Sequence, residues 1–379
     1  MTSFSFATAG RIIFGAGTVA QLPHLVAELG ERPFVCTGGR PERHARVIDT
    51  LTDAAVFPIG SEPTMELVRE AAEAARAHRA TVVVGLGGGA ALDAAKVVAA
   101  LVANGGDPLD YAEVVGRGLP LTERSLPVVA VPTTSGTGSE VTANGVVTAT
   151  EQRVKVSLRS ASMLPAVALV DPELTLAVPP EVTAHAGLDA LIQCIEPYVS
   201  PFATPLTDGF CREGIAWAGR GLRRAYADGS DLEARTDMSL CSLLSGLALA
   251  NGKLGAAHGL AGPLGGFLGA PHGALTAAVM VPVSRANLEA LAAEDPAHPT
   301  LVRYAEVGEL LTGERSAAAY LDWFAETVAL LGVPGLAAHG LTEADIPGIA
   351  QAASRASSTK GNPVRLPIAT FEQIVRAAL

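Results

Sequence analysis

A rhythm constrains this chain more than any single motif does. Short runs rich in β-branched and aromatic residues recur through the first 172 positions: "RIIFG", "PFVCTGG", "AAVFPIG", "TVVVGLGGG", "LPVVAVPTT" and "AVALVDP". Between them lie stretches of helical period such as "MELVREAAEAARAHRA". A strand that returns through a helix lies parallel to the strand before it, so the alternation predicts βαβ units and a mainly parallel sheet. The pattern stops at "DPELTLAVPPEVT", residues 171 to 183, which holds three prolines. Beyond it "HAGLDALIQCIEPYV", "SLCSLLSGLALANG", "AAAYLDWFAETVALLG" and "FEQIVRAAL" repeat apolar residues at helical spacing. At 379 residues the chain exceeds what one core usually supports. We therefore expect two domains, α/β over 1–182 and all-α over 183–379.

Charge and apolar patterning exclude several function classes. The net charge is −11 and no basic run occurs, which disfavours a nucleic-acid partner because phosphate binding needs clustered cations. The longest apolar stretch is broken by Gly87 to Gly89, Asp93 and Lys96, so no membrane span is expected. The N-terminus lacks the basic and apolar regions of a secretory signal. Cys36, Cys194, Cys211 and Cys241 show no CxxC spacing and sit in apolar segments, reading as free thiols of a cytoplasmic protein.

Three segments carry chemistry. In "VVVGLGGGAALDAAK" a buried strand runs into a glycine turn and a helix that carries Asp93 and Lys96. Glycines there permit positive φ and close approach to a pyrophosphate, and a helix N-terminus offers free N–H groups; a plain strand-to-helix turn has the same pattern. "VAVPTTSGTGSEVT" gathers Thr133, Thr134, Ser135, Thr137, Ser139 and Thr142 around Gly136 and Gly138. Hydroxyls at strand ends donate to phosphate and ribose oxygens, and open α/β sheets bind ligands at those ends. Two such loops make a nucleotide site the better reading. In "LGAAHGLAGPLGGFLGAPHGAL", His258 and His272 interrupt an apolar run, either as core histidines or as metal ligands. Only four of the 27 basic residues are lysines: Lys96, Lys155, Lys253 and Lys360. A demand for a compact ammonium or a codon bias would each produce that scarcity.

These motifs, with "RIIFGAGT", "DPEL", "GLDAL", "APHG" and "GNP" in order along the chain, resemble the iron-containing (group III) alcohol dehydrogenases of the dehydroquinate-synthase-like superfold. "GGGAALDAAK" is similar to that family's GGGSxxDxAK, and "VPTTSGTGSEVT" is close to its signature. The resemblance implies a Rossmann-like dinucleotide α/β domain, an all-α metal and substrate domain, and an active site between them. It implies interconversion of a small alcohol and its aldehyde or ketone by metal-assisted hydride transfer with NADP(H) or NAD(H). On the same ground Gly88, Gly89 and Ala90 would hold the pyrophosphate, and Asp93 would support that loop. Thr133, Thr134, Thr137, Thr142 and Asn144 would line the cofactor, Lys155 would meet its ribose, and Lys96 would brace the loop. Ala90 stands where the family commonly has serine, which removes a phosphate donor.

Coenzyme choice is implied just after "PFVCTGG", where NAD-preferring members carry an aspartate. Gly38 takes that place here, followed by Gly39, Arg40 and Arg43. With no carboxylate there and two guanidiniums nearby, acceptance of a 2′-phosphate is expected, favouring NADP(H); incidental arginines on a solvated loop are the plainer alternative. The family's ligands, an aspartate, a histidine four residues later and two more histidines, map onto Asp189, Gln193, His258 and His272, for Fe2+ or Zn2+. His185, Asp189 and Gln193 are spaced to share one helical face. Gln193 replaces histidine with a harder, weaker donor. Three arrangements stay open: Gln193 ligates, His185 substitutes for it, or no metal binds. His258, His272 and Lys253 are the candidate catalytic residues, Lys253 either as a solvated cation or as a partner for an anionic substrate. Gly262 stands where many members have a proton-relaying histidine. A maleylacetate-reductase-type enzyme working with little or no metal is the nearest rival, although "TTSGTGSE" differs from the "TTYAGSE" usual there. The resemblance further implies a homodimer.

Overall fold

The computed structural model describes residues 3–112, 115–152 and 154–379. They form two compact units, one of residues 7–134 and 138–176, the other of 177–379 with 3–6 and 135–137.

The first unit contains β1 (Arg11–Phe14), α1 (Leu22–Leu29), β2 (Pro33–Gly38), α2 (Ala45–Ile48), β3 (Ala55–Ile59), α3 (Met65–His78), β4 (Val82–Gly87), α4 (Gly89–Asn104), α5 (Pro108–Tyr111), β5 (Val128–Pro132), β6 (Asn144–Ala149), β7 (Val154–Arg159) and β8 (Val167–Val170). Six strands form a parallel sheet in the order β1-β8-β5-β4-β2-β3. Both faces are covered, which is why its central strands read as unbroken apolar runs. Phe34, Cys36 and Val83 face a core that includes Val68 and Ala72 of α3 and Ala95 and Val98 of α4. Val35, Val82 and Val84 point the other way, into a core with Leu22, Leu25 and Val26. One element departs from the predicted rhythm. β6 and β7 form a separate antiparallel pair, from Asn144 opposite Arg159 to Ala149 opposite Val154. Their alternating burial is that of half-buried strands; β7 shows it as Val154, Val156 and Leu158 between Lys155, Ser157 and Arg159, while Gly145 and Val146 blur it in β6.

The second unit is helical: α6 (Pro180–Val199), α7 (Pro205–Ala227), α8 (Leu232–Gly252), α9 (Ala256–Leu268), α10 (His272–Glu294), α11 (Pro299–Thr312), α12 (Ala317–Leu330), α13 (Ile346–Arg355) and α14 (Ile368–Ala377). Side-chain caps start several of them. Thr204 closes a capping box at α7, and Asp231 and Ser316 accept from Ala234 and Ala319 at the starts of α8 and α12. α6 has no wet face from Gly187 to Val199, as befits a helix enclosed by others. It nevertheless carries Asp189, Gln193 and Glu196, all under 5% exposed. Polar groups at that depth must find partners, and theirs define a site. Among the described residues no single helix is long and apolar enough to cross a membrane.

Candidate active site and metal centre

Asp189, Gln193 and Glu196 lie four and seven residues apart on α6, on one side of the helix. α9 brings in His258, and α10 begins at His272. Gly273 permits that approach: a Cβ there would collide with the carbonyl oxygen of His185 and stand 3.2 Å from the Asp189 Cβ. The first turn of α10 therefore lies directly on the α6 backbone.

One ligand atom from each of Asp189, His258 and His272 lies within 4.8 Å of the others. The Nε2 atoms of His258 and His272 stand 3.5 and 4.0 Å from Asp189 Oδ1. Their ring centroids are 5.4 Å apart. Thr276 Oγ1 donates to Oδ1 at 2.9 Å, and Gln193 Nε2 donates to Oδ2 at 2.6 Å. Gln193 Oε1 accepts from Ser245 Oγ at 3.0 Å. Behind His258, Nδ1 is 2.6 Å from Glu196 Oε2, while Glu196 Oε1 accepts from the Ala257 N–H at 2.7 Å.

That network leaves one atom without a hydrogen-bond partner: Nε2 of His258, buried and facing Asp189. A metal-bound histidine characteristically gives its other N–H to a carboxylate, which aims the remaining lone pair at the ion. Glu196 does this for His258. Two imidazoles and a carboxylate are a donor set for a divalent ion such as Fe2+ or Zn2+, and the residues present fit one. The electrostatics agree. Burial alone would lower the His258 pKa, but the Glu196 and Asp189 carboxylates overcome it and raise it to about 10. Burial pushes Asp189 up; the adjacent His272 and His258 more than offset this and hold it below the usual carboxylate value. The cluster attracts positive charge.

The nucleotide loops are built as tightly. β4 ends at Gly87, and Gly88 leads into α4 with no side chain capping the helix. Neither they nor Gly89 has positive φ, contrary to the expected left-handed turn. The demand is for space. A Cβ on Gly87 would lie 2.7 Å from that of Ala91 and 3.1 Å from the Gly38 nitrogen, and one on Gly88 3.3 Å from Thr134 Oγ1. Asp93 accepts from the Ser139 hydroxyl and, at 2.9 Å, from the Val146 N–H. Fully buried Lys96 donates at 2.9 Å to both the Ser139 carbonyl and Thr142 Oγ1, 3.2 Å from Asp93 Oδ1. Lys96 and Asp93 thus bind the second loop to α4. A bare glycine cradle at an uncapped helix start suits a pyrophosphate.

Other expected residues lie elsewhere or are otherwise engaged. Thr142 Oγ1 accepts from Lys96 at 2.9 Å and donates to the Ser139 carbonyl at 3.2 Å. Lys155 pairs with Glu62 at 3.2 Å. Thr133 is buried, Asn144 is half-buried at the start of β6, and Thr137 is exposed. Thr137 belongs, with Ser135, to the helical unit, where Ser135 Oγ meets Ser239 Oγ at 3.1 Å. Arg40 and Arg43 are exposed with Glu42 between them, and a Cβ on Gly38 would face open space. Gly39 is fixed by packing, since a Cβ would fall 2.8 Å from the Gly60 Cα. His185, half-buried, is outside the converging cluster. Lys253 is exposed, with Nζ 3.7 Å from the centre of the Phe202 ring, so its ammonium is occupied by a surface cation–π contact. Gly262, one turn beyond His258, has only open space where a side chain would project. Sequence reading does not reach Glu196, Thr276 or Ser245. Only Glu196 leaves a signal, its position two turns beyond Asp189 on the same face.

Comparisons with known proteins bear on what such a site does. The model of the iron-containing alcohol dehydrogenase family matches residues 9–172, and that of the family's C-terminal domain matches residues 183–379. The NAD-dependent methanol dehydrogenase of Bacillus methanolicus is 32% identical over all of both chains. A solved 1,3-propanediol oxidoreductase is 30% identical and superimposes over all of both chains with a TM-score of 0.91. Sulfoacetaldehyde reductase from Bifidobacterium kashiwanohense, solved with NAD+, is 28% identical with a TM-score of 0.89, over all of this chain and 99% of that one.

Proposed function

Because the chain belongs to the iron-containing alcohol dehydrogenase family, and is thus an NAD(P)-dependent oxidoreductase of alcohols and their carbonyl counterparts, we propose that Asp189, His258 and His272 are its metal ligands. The buried, unpartnered Nε2 of His258 carries this assignment. When bound, the ion supplies Lewis-acid polarisation of the substrate oxygen, and the nicotinamide supplies the hydride-carrying carbon. The chain's own residues prepare the site. Glu196 keeps the proton on Nδ1 of His258. Thr276 steadies the Asp189 oxygen that faces both imidazoles. Lys96 and Asp93 hold the hydroxyl loop beside the glycine cradle, where Gly88, Gly89, Thr133 and Thr134 would receive the coenzyme. Gly262 offers no side chain to carry the alcohol proton, which leaves that task to solvent or a coenzyme hydroxyl.

Residues 1–182 then serve the coenzyme and 183–379 the metal and substrate, a division supported by the two family matches. The open space at Gly38 and the exposed Arg40 and Arg43 favour NADP(H). The substrate is a small alcohol or carbonyl compound. Lys253, seated on Phe202, lends no support to an anionic one. The reading includes a cytoplasmic homodimer: four buried free thiols suit a reducing compartment, and the dimer rests on family resemblance. A maleylacetate-reductase-like activity is not favoured, because the curated relatives include a methanol and a 1,3-propanediol dehydrogenase.

Elemental analysis combined with NAD(P)H oxidation over short aldehydes, before and after chelation, tests the assignment. We expect one divalent ion per chain, and loss of both ion and activity in Asp189→Ala and His272→Ala. A metal-free wild type of full activity overturns it.

A further inference from the structure

The two oxygens of Asp189 face different partners. Oδ1 looks toward the imidazoles of His258 and His272. Oδ2 looks along α6 to Gln193, one turn away, and meets its amide at 2.6 Å. The other end of that amide accepts from Ser245 Oγ on α8 at 3.0 Å, a hydroxyl that also faces the Ser242 carbonyl at 2.8 Å and shares its one hydrogen between the two. All three side chains are buried, so water does not compete for these contacts.

The contact at Asp189 fixes which end of the amide is which. An amide oxygen there would set two acceptors 2.6 Å apart in a dry interior. With the nitrogen toward Asp189, Oδ2 receives an N–H, and Oε1 is an acceptor in reach of a hydroxyl. The glutamine then shows an N–H, not a lone pair, to the carboxylate that ligates. An N–H cannot ligate a cation.

We propose that Gln193 is a positioning residue rather than a metal ligand: latched by Ser245, it holds Asp189 Oδ2 so that Oδ1 is the donor shared with His258 and His272. This rests on the assignment of the ion to those three residues. The protein then supplies three donors, and the remaining positions are left to water and substrate. A fourth imidazole, as relatives of this family carry, would occupy one of them.

Cobalt(II) titration of the full-length metal-free protein tests this, read by visible d–d absorption, whose position and intensity report the number of donors. Loss of a residue that only orients a ligand weakens metal binding by about 10–100-fold. We expect Gln193→Leu and Ser245→Ala each to weaken Co2+ by a factor in that range, with the wild-type band unshifted. The double variant should bind no more weakly than Gln193→Leu, because both break one latch. Gln193→His should add a donor, shifting and intensifying the band. A band altered in Gln193→Leu would show that the amide had been a ligand and overturn the proposal. Wild-type affinity in both single variants would overturn it equally, and Ser245→Ala alone decides should Gln193→Leu misfold. Failure of wild type and Asp189→Ala alike to bind Co2+ would instead refute the three-residue site itself.

Discussion

Glu196→Gln is the most instructive single change at the proposed metal centre. The carboxylate accepts two hydrogen bonds, from the Ala257 N–H at 2.7 Å and from Nδ1 of His258 at 2.6 Å. Glutamine has the same shape but only one acceptor. If its oxygen stays on Ala257, its NH2 faces Nδ1, and the imidazole must move its proton to Nε2. The nitrogen that faces Asp189 then carries a hydrogen and no lone pair. Removal of such a partner costs about 10–100-fold in metal affinity, equivalent to ~1.4–2.7 kcal/mol. The upper end is expected, because Glu196 is 3% and His258 6% exposed and solvent screens little there. Zn2+ binding would be followed by competition with a chromophoric chelator, and the ring tautomer by nitrogen NMR of His258. A variant that binds Zn2+ within twofold of wild type, with the proton still on Nδ1, would refute the reasoning.

Two further outcomes are expected. Gly38→Asp should fold, because its Cβ faces open space, and should cut kcat/KM with NADPH at least tenfold while sparing NADH; a wild type that already prefers NADH contradicts the loop reading. Glu140 is 1% exposed, and burial, partly offset by its own backbone and by Lys96, raises its pKa from 4.5 to about 7. The folded state therefore keeps a proton that the unfolded chain gives up above 4.5, so its contribution to stability declines as pH rises through 7, by ~3 kcal/mol in total. Urea unfolding at pH 5 and pH 8 should show that decline in wild type and not in Glu140→Gln; equal slopes would count against it.

What was readable from the sequence follows from how local each signal is. The sheet was legible because its central strands are buried on both faces and stand out as apolar runs between helical periods. β6 was not, since Gly145 takes an inward place and Val146 an outward one, and β7, although Val154, Val156 and Leu158 alternate with Lys155, Ser157 and Arg159, is only six residues long. At the glycine turn, contact with Ala91, Gly38 and Thr134, and not positive φ, restricts side chains, a demand set by packing that the sequence does not show. At the metal centre, spacing along α6 aligned Asp189 with Gln193, and the same spacing extends to Glu196. Ser245 and Thr276 come from helices whose approach depends on tertiary packing. No pattern in a single sequence shows which end of an amide faces which neighbour. Lys253, singled out by scarcity and by proximity in sequence to His258, has its ammonium over the exposed Phe202 ring, a partner 51 residues away that no local pattern shows.

The missing methyl at position 273 has a wider consequence. The start of one helix lies too close to the backbone of another for a side chain to stand between them, and the imidazole one residue away inherits its reach from that contact. A frame with no slack cannot tune its ligand distances by small drifts of spacing. Change in this centre has to come through exchange of side chains at fixed stations.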